Sequence, residues 1–267
     1  MNRALAGIAE TGVSPNTTRH VFHILRIALN EAVRSEKLRA NPCLRVDPPD
    51  AVTTVLTPWD SDEINRFLDS LEGNRHAPLF MLAISSGLRQ GELLGLRWSD
   101  VDLDGGVLTV DHQLLRRGSF GPPKSAAGVR TIGLSELAVY ALRSQRARQA
   151  AQRLRAGRGW TNVYDLVFTT DAGSHLGWRP LWHAFHIAMR DAGVRPIRFH
   201  DLRHACATLL LSGGEELAVI SKVLGHADYG TTLRVYAHLD PKRAKAAAGR
   251  IDAALGRTLP APAEVAT

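Results

Sequence analysis

The sequence predicts a mainly helical protein with a small antiparallel β-sheet, which is an α+β fold. Apolar residues recur at helical spacing along most of the 267 residues, and short β-rich runs occur in one region after Trp98. A proline-rich stretch also divides the chain into a short first part and a longer second part. We therefore expect a helical domain over residues 1–41, a linker over 42–57, a larger domain over 58–255 and a disordered tail over 256–267.

The first part is expected to contain one long helix. Ser14 and Pro15 have the residue types of an N-cap and a first helical position, and apolar residues follow at helical spacing. The helix should stop near Asn41 and Pro42, because proline disfavours the helical conformation of the residue before it. Four prolines in "PCLRVDPPDAVTTVLTP", from Pro42 to Pro58, then predict an extended linker rather than a helix.

The second part begins with helical patterns. A helix is expected from Thr57 and Pro58 to Leu71, and the apolar segment "APLFMLAISSG" predicts a second helix that ends at Gly87. A short helix carries "LRQGELLGLRW". The period then changes, because "GVLTVDHQ" and "VRTIGL" are β-rich and predict a hairpin or a three-stranded sheet with Lys124 in its loop.

The remainder of the second part is expected to be mostly helical. Ser135 has the residue type of an N-cap for a long arginine-rich helix that reaches about Arg158. A short apolar run, "DLVFTT", follows this helix. Five further segments have helical patterns: "LWHAFHIAMRDAG", "FHDLRHACATLLLSG", "EELAVISKVLG", "TTLRVYAHL" and "PKRAKAAAGRIDAAL".

The charge of the chain favours a polyanionic partner. It has 33 lysines and arginines against 26 acidic residues, a formal net charge of +7, which is typical of proteins that bind nucleic acid. An ordinary basic surface is the alternative. No apolar run approaches the roughly 18 residues that span a bilayer, and the start does not resemble a signal sequence. Cys43 and Cys206 lie far apart and lack metal-ligand spacing, which fits a reducing compartment. We therefore expect a cytoplasmic protein without a membrane segment.

Two patterns resemble metal sites, and neither is complete. "DVDLDGGVLTVD" from Asp100 has the alternating acids of a calcium loop, but β-rich residues follow where an EF-hand needs a helix, so a plain Asp-Gly turn is expected. His200 and His204 have the spacing of a helical zinc site, but the glutamate of a metalloprotease motif is missing between them. The sequence also lacks a G-x-x-x-x-G-K phosphate loop, so use of ATP or GTP is unsupported.

Other residues are suited to binding a phosphate. Arg89 follows a glycine turn at the start of a helix, where its guanidinium and backbone N–H groups could face one anion. His200 and Arg203 stand three apart on one helical face. His226 follows a helix end, and Lys124 lies in a loop that could deliver a proton donor. Each residue alone is more often a surface charge or a structural residue.

Tyr236 completes a pattern with these five residues. A phenol is a poor nucleophile at its usual pKa of about 10, so a packed aromatic side chain is the simple alternative for it. In order, however, the six positions in "SGLRQGEL", the β-loop, "HDLRH", "LGH" and "TLRVYAH" resemble the tyrosine recombinase family, the phage-integrase-like enzymes. The resemblance covers roughly Thr57 to Leu239. It implies a recombinase catalytic domain preceded by a partial helical core-binding domain that is recognisable from about Ser14.

The resemblance also implies a chemistry. Arg89 and Arg203 would clamp nonbridging oxygens of a phosphodiester, and Tyr236 would attack phosphorus, expel a 5′-hydroxyl and form a 3′-phosphotyrosyl bond. His200 would give general acid and base assistance around the tyrosine, and Lys124 would protonate the leaving oxygen. The expected function is therefore site-specific DNA recombination or integration.

The same resemblance assigns the supporting groups and partners. His226 would hydrogen-bond the phosphate, and Glu92, one turn after Arg89, would brace the pocket unless it is a surface acid. Neither a metal nor a cofactor is implied. The expected partner is double-stranded DNA, the expected working state is a homotetramer on two duplexes, and accessory DNA-bending proteins could assist.

Two other functions are compatible with the sequence. "LAVISKVLGHADYGTTLRVYAH" also fits a helix-turn-helix, which would make the chain a DNA-binding regulator with Tyr236 merely packed. Type IB topoisomerases share the phosphotyrosine chemistry, so relaxation of supercoils is the second alternative, although the helical pattern after the tyrosine favours a recombinase. Since only about 40 residues precede the linker, we expect a start truncated relative to the family, with weaker DNA binding and reduced recombination.

Overall fold

The structure is a computed structural model that describes residues 7–8, 10–48, 50, 57–116, 118–226 and 230. Its contacts divide the chain into two compact units, residues 1–56 and residues 57–267. Several predicted features lie outside the described residues: the later part of the expected linker, the segments "TTLRVYAHL" and "PKRAKAAAGRIDAAL", and the expected disordered tail.

The first unit is built on helix α1 (Pro15–Arg34). The helix begins where the sequence predicts, because Ser14 Oγ accepts a hydrogen bond from the backbone N–H of Thr17 at 3.2 Å. It ends earlier than expected. Glu36 has φ +58°, and a residue in this left-handed conformation stops a helix. The prediction that α1 reaches Asn41 is therefore wrong.

The residues that follow α1 fold back onto it. Pro42–Arg45 forms one turn of 3₁₀-helix, which corrects the prediction that an extended linker begins at Pro42. Proline is compatible with a first helical turn because its missing N–H would have no partner there. Asn41 Oδ1 caps the turn by accepting the Cys43 N–H at 2.8 Å. Cys43 is buried against Phe22 of α1, so the turn closes the small core of this unit.

The second unit begins with helix α2 (Ser61–Asp69), later than the predicted start at Thr57 and Pro58. The difference comes from a capping box. Asp60 Oδ1 accepts the Glu63 N–H at 2.8 Å, and the Glu63 carboxylate accepts the Asp60 N–H at 3.2 Å. These two reciprocal bonds satisfy backbone donors at both positions and make Asp60 the N-cap.

Six further α-helices belong to the described part of the second unit: α3 (Ala77–Ser86), α4 (Gln90–Gly95), α5 (Glu136–Ala156), α6 (Trp178–Asp191), α7 (Asp201–Ser212) and α8 (Leu217–Leu224). As predicted, Gly87 ends α3 with φ +62°, and Ser135 caps α5 by accepting the Ala138 N–H. Most residues of α3 are buried, and the helix packs against α4, α5 and α7. It is therefore the central helix of the unit.

The predicted β-region forms two small antiparallel sheets. The first has the strand order β1 (Val101–Asp102), β2 (Val107–Val110) and β5 (Arg130–Gly133). Leu108 pairs with Ile132 in this sheet, and both side chains are buried. The second sheet pairs β3 (Gln113–Leu114) with β4 (Phe120–Gly121) and was not predicted. The three-stranded sheet itself confirms the prediction.

The turn between β1 and β2 contains the acidic residues that resemble a calcium loop. Asp102 Oδ1 accepts backbone N–H groups from Asp104 at 3.1 Å and from Gly105 at 2.8 Å. A carboxylate used in this way closes a local turn. A strand follows the turn, whereas an EF-hand requires a helix. The interpretation as an Asp-Gly turn is confirmed.

Aromatic side chains form the centre of the main core. Buried rings from α2, α3, α6 and the segments before α2 and α7 lie with centroids 4.9 to 6.4 Å apart: Trp59, Phe67, Phe80, Phe185 and Phe199. Trp59 Nε1 donates to the carbonyl oxygen of Arg195 at 2.8 Å, so its one polar atom is satisfied. None of the described helices has both the length and the apolar composition to cross a membrane.

Candidate active site

Three arginines from distant parts of the chain converge on the end of α8. The last carbonyl groups of an α-helix have no partners within the helix. Each of three successive carbonyl oxygens here accepts from a different guanidinium group: Val223 from Arg130 Nε at 2.7 Å, Leu224 from Arg203 Nη2, and Gly225 from Arg89 Nη2 at 2.8 Å. Peptide dipoles leave partial negative charge at this end of a helix, which favours cations there. We call these three residues the arginine cluster.

Arg89 reaches the cluster from the N-terminus of α4. A tight turn precedes it, and a Cβ atom on Gly87 would lie 2.7 Å from Leu224 Cδ2. Glycine therefore allows the end of α8 to approach this turn closely. The Arg89 backbone N–H donates to Glu92 Oε2 at 2.9 Å, which fixes the point from which the side chain extends.

Arg203 reaches the cluster from the first turn of α7. The residue is only 3% exposed, and its Nη1 donates to the carbonyl oxygen of Gly87 at 2.8 Å. The guanidinium thus bridges the ends of α3 and α8. Buried apolar residues pack α7 against α8: Ala207, Leu211, Ile220 and Leu224. This packing holds the Arg203 side chain in one place.

Glu92 supplies the negative charge of the cluster. Its side chain is 1% exposed, and its carboxylate accepts from Arg89 Nη1 at 2.7 Å and from Arg130 Nη2 at 2.9 Å. Burial raises the pKa of this carboxyl, but the hydrogen bonds and charge of Arg130, together with hydrogen bonds from Arg89, outweigh burial and lower the pKa. Glu92 is therefore ionised. Its burial agrees with the bracing role and not with a surface acid.

Arg130 is a member of the cluster that sequence reasoning missed. It is the first residue of β5 and is 8% exposed. The segment "VRTIGL" contains a sequence signal for this residue. Residues two apart on a strand share a face, so Arg130 lies on the same face as buried Ile132. A charged residue on the buried face of a strand needs a partner of opposite charge. The carboxylate of Glu92 is that partner.

Three histidines lie near the arginine cluster. His200 precedes α7, and its ring centroid is 5.5 Å from that of His204. Burial, reinforced by the positive charges of His204 and Arg203, lowers the pKa of His200 to about 4. Burial, reinforced by Arg203 and Arg89, also lowers the pKa of His226 to about 4. Both imidazoles are neutral at pH 7, so each has one N–H donor and one acceptor nitrogen.

Of the two remaining predicted residues, Lys124 is among the described residues and Tyr236 is not. Lys124 is exposed in the loop between β4 and β5. The end of that loop reaches α8, since the Ala127 carbonyl oxygen lies 2.9 Å from the position of a Cβ atom on Gly225. The loop is therefore anchored at the arginine cluster while Lys124 itself is exposed. Tyr236 lies outside the described residues.

One group of possible metal ligands lies apart from the arginine cluster. In the described part of the chain, Asp100, Asp111 and His112 bring three potential ligand atoms within 4.8 Å of one another. His112 Nδ1 contacts the Asp111 carboxylate, and His112 Nε2 lies 2.7 Å from the carbonyl oxygen of Gly95. Both ring nitrogens of His112 are thus engaged by protein oxygens.

Comparison with known proteins identifies the family. Residues 55–243 match the model of the phage integrase family. This chain belongs to the phage integrase family. The matched range includes the arginine cluster, the three histidines and Tyr236, and the resemblance to tyrosine recombinases inferred from the sequence is confirmed.

Two curated relatives match this member of the phage integrase family along most of its length. It is 30% identical over 254 residues to a tyrosine recombinase XerC-like protein of Caldanaerobacter subterraneus subsp. tengcongensis, over 88% of this chain and 65% of that protein. It is 27% identical over 252 residues to the ICEBs1 integrase of Bacillus subtilis (strain 168), over 92% of this chain and 67% of that protein. The chain thus spans about two thirds of the length of these relatives.

Solved structures share the fold. The Tn1549 transposon integrase in complex with circular intermediate DNA matches with a TM-score of 0.76 at 23% identity, over 93% of this chain and 84% of that one. A lambda integrase dimer bound to a core site matches with a TM-score of 0.63 at 18% identity, over 86% and 61% of the two chains. The predicted mainly helical recombinase fold with small antiparallel sheets is confirmed, and neither the regulator nor the topoisomerase interpretation is favoured.

Proposed function

We propose that this member of the phage integrase family is a site-specific DNA recombinase that cuts and rejoins strands through a 3′-phosphotyrosyl bond to Tyr236. The observation that carries the proposal is the convergence of Arg89 and Arg203 on adjacent carbonyl groups at the end of α8. Two guanidinium groups held side by side suit two nonbridging oxygens of one phosphodiester. The names of the curated relatives, tyrosine recombinase and integrase, support the same function.

The protein holds these guanidinium groups in place before DNA binds. Arg89 uses Nη1 on Glu92 and Nη2 on Gly225, and because a guanidinium has several further N–H donors, others remain for a phosphate. Donors that are already in position need not reorganise when charge accumulates on the phosphate in the transition state. Removing one such donor typically slows a reaction by about 10²- to 10³-fold.

The proposed cleavage step exchanges one phosphodiester bond for another. The Tyr236 phenol oxygen bonds to phosphorus as the bond between phosphorus and the 5′ oxygen breaks, and a strand with a 5′-hydroxyl leaves. Neutral His200 accepts the phenol proton, Lys124 donates a proton to the leaving oxygen, and His226 donates a hydrogen bond to the phosphate. Attack of a 5′-hydroxyl on the phosphotyrosine reverses these steps and reseals the strand without ATP.

Double-stranded DNA is the proposed substrate. The net charge of +7 favours a polyanion, and the structures of the Tn1549 transposon integrase and of the lambda integrase dimer, which share the fold, contain DNA. Each strand cut requires one tyrosine, so exchange between two duplexes is proposed to use a homotetramer. Accessory DNA-bending proteins are proposed as further partners, and the cytoplasm is the proposed place of action.

A nicked duplex that traps the cut strand tests this function. The duplex should carry DNA that flanks the gene of this protein, and a covalent complex should then survive denaturing electrophoresis. Tyr236→Phe should bind the duplex and form no complex, because only the nucleophilic oxygen is removed. Loss of duplex binding in a folded Tyr236→Phe protein would favour the regulator. Relaxation of supercoils without recombination of paired sites would favour the topoisomerase.

Chelation gives a second test of the same chemistry. The positive charges of Arg89, Arg203 and Lys124 are proposed to do the work that a metal ion does in other phosphoryl-transfer enzymes. The covalent complex should therefore form at the same rate with EDTA present. Cleavage that stops with EDTA and returns with added magnesium or zinc would contradict the proposed roles of these residues.

A further inference from the structure

Arg130 connects four parts of the second unit through one buried side chain. Its side chain is 4% exposed, and the residue is the first of β5. Nε donates to the carbonyl oxygen of Val223 at 2.7 Å, and Nη1 donates to that of Gly128 at 2.9 Å. Nη2 donates to the Glu92 carboxylate at 2.9 Å. The side chain therefore joins β5, the loop that carries Lys124, helix α4 and the end of α8.

Stability alone does not account for such a group. Two charges removed from water lose hydration, so a buried ion pair often contributes no more to stability than apolar side chains of the same volume. A buried guanidinium does impose geometry, because its donors require acceptors at fixed positions in one plane. Two of the acceptors of Arg130 are the Glu92 carboxylate and the carbonyl group of Val223. The Glu92 carboxylate also binds Arg89. The two carbonyl groups that follow Val223 bind the clamping arginines: Leu224 binds Arg203, and Gly225 binds Arg89.

We infer that Arg130 is a positioning residue for the phosphate clamp: it holds Glu92 and the end of α8 so that Arg89 and Arg203 face one phosphate. This inference rests on the proposed recombinase function. Without Arg130, the Glu92 carboxylate keeps its bond to Arg89, and the Val223 carbonyl group loses the bond from Arg130 Nε. The end of α8 is then free to shift, and both clamping arginines are bonded to it.

Arg130→Gln and Arg130→Lys test the inference by single-turnover cleavage. Displacement of reacting groups by about 1 Å can cost on the order of 100-fold in rate, and we expect a loss of that size with DNA affinity little changed. Arg195→Gln is the matched control, since Arg195 also bonds a carboxylate, that of Glu63, and two backbone carbonyl groups. The control variant should cleave at the wild-type rate.

A neutral phosphate separates positioning from a general loss of structure. A methylphosphonate at the cleaved position replaces one charged nonbridging oxygen by methyl, so the arginine that neutralises that oxygen becomes less important. The stereoisomer that relieves the defect of Arg89→Ala should also relieve that of Arg130→Gln. The Arg89→Ala/Arg130→Gln double variant should lose less than the product of the two single losses, because part of the Arg130 effect acts through Arg89. Losses that multiply, or an Arg130→Gln defect that neither stereoisomer relieves, would overturn the inference.

A measurement without DNA separates this inference from the proposed function. Side-chain NMR of arginine guanidinium groups reports the rotation of Arg89, which its bonds to Glu92 and Gly225 should slow in the wild-type protein. Arg130→Lys should speed that rotation, and Arg195→Gln should not. Unchanged Arg89 rotation in folded Arg130→Lys would overturn the inference even if the wild-type protein cleaves DNA. A wild-type protein that forms no covalent complex would instead overturn the proposed function.

Discussion

The carbonyl oxygen of Gly225 accepts a hydrogen bond from Arg89 Nη2 at 2.8 Å, across 136 positions of the sequence. Gly225 ends α8 in the left-handed conformation, with φ +64°. The conformation of this glycine therefore sets the position of a carbonyl group that holds a candidate catalytic guanidinium. The C-terminus of α8 is part of the candidate active site for this reason.

Gly225→Ala should lower both stability and cleavage. The left-handed conformation costs alanine about 1–2 kcal/mol, and the new Cβ would lie 2.9 Å from the Ala127 carbonyl oxygen and from Arg130 Nη1. We expect a total loss of about 2–4 kcal/mol in the free energy of unfolding, measured by urea titration. Gly193→Ala is the control, because Gly193 has φ +61° and no atom would lie within 4 Å of its Cβ. Equal losses in the two variants would show that the close contacts at Gly225 are unimportant.

Glu92→Gln should be strongly destabilising, since it leaves Arg89 and Arg130 without a balancing charge. Breaking a buried ion pair by removing one partner costs about 3–5 kcal/mol. Glu63→Gln is the matched control. The Glu63 pair with Arg195 is partly exposed, with the arginine side chain 40% accessible, and exposed pairs contribute about 0–1 kcal/mol. Urea unfolding of the two variants should therefore differ by several kcal/mol, and a small loss in both would mean that Glu92 is not needed to balance the cluster.

Arg203→Lys should abolish most cleavage while the protein stays folded. Lysine keeps the positive charge but lacks the planar fork with which Arg203 bonds the carbonyl groups of Gly87 and Leu224 and would bond a phosphate. We expect a single-turnover rate lower by about 10²- to 10³-fold. Arg190→Lys, at an exposed pair with Asp191 on α6, should keep the wild-type rate. A rate near wild type for Arg203→Lys would mean that charge alone suffices at this position.

Lys124→Ala should slow the departure of the 5′ oxygen, by about 10²- to 10⁴-fold if Lys124 is the general acid. Sulfur in place of that bridging oxygen leaves without needing a proton. A duplex with this substitution should therefore restore much of the rate in single-turnover cleavage by Lys124→Ala. If sulfur gives no rescue, Lys124 either binds the phosphate or takes no part in the reaction.

Acid should destabilise the fold between pH 6.5 and about 4. Burial, reinforced by the charges of Arg75 and Arg148, lowers the pKa of His76 from 6.5 to about 4, and His200 and His226 are lowered to a similar value. In this window the unfolded chain binds protons that the folded chain does not. Stability is therefore complete above pH 6.5 and falls as the pH drops towards 4.

His76→Gln isolates one part of this pH dependence, because His76 lies at the N-terminus of α3, at the opposite end of that helix from Gly87, and is not assigned to the reaction. Urea unfolding from pH 7.5 to pH 4.5 should show a shallower loss of stability in this variant than in the wild-type protein. An unchanged slope would mean that His76 titrates normally in the folded chain, and the acid sensitivity would then have to arise at other residues.

The elements predicted correctly are those specified by residues close together in the sequence. Ser14 and Ser135 cap α1 and α5 by accepting N–H groups three residues ahead, and Gly87 ends α3 because it can adopt positive φ. Each of these signals acts within one helical turn, so a sequence pattern contains it in full. The family motifs around the six candidate residues are equally local, and their order along the chain predicts the family.

The predictions that failed concern choices between similar local signals. Thr57 and Asp60 both have residue types suited to an N-cap, and only Asp60 has a glutamate three positions later that completes a capping box. Glu36 carries no sequence signal for the left-handed conformation that ends α1. The prolines from Pro42 onward predict an extended segment, yet the burial of Cys43 against Phe22 stabilises a helical turn there.

The sequence thus established a mainly helical integrase-family chain, its small sheet and six candidate residues in order. It did not show that Arg130 belongs with them. The Arg130 bond to Val223 spans 93 positions and its bonds to Glu92 span 38, and neither separation leaves a periodic pattern in the sequence. Hydrogen bonds at the end of α8 depend on where α4, β5 and α7 come to lie after the core has packed. That position is a property of the folded chain, since it requires the burial of apolar surface from all of these elements at once.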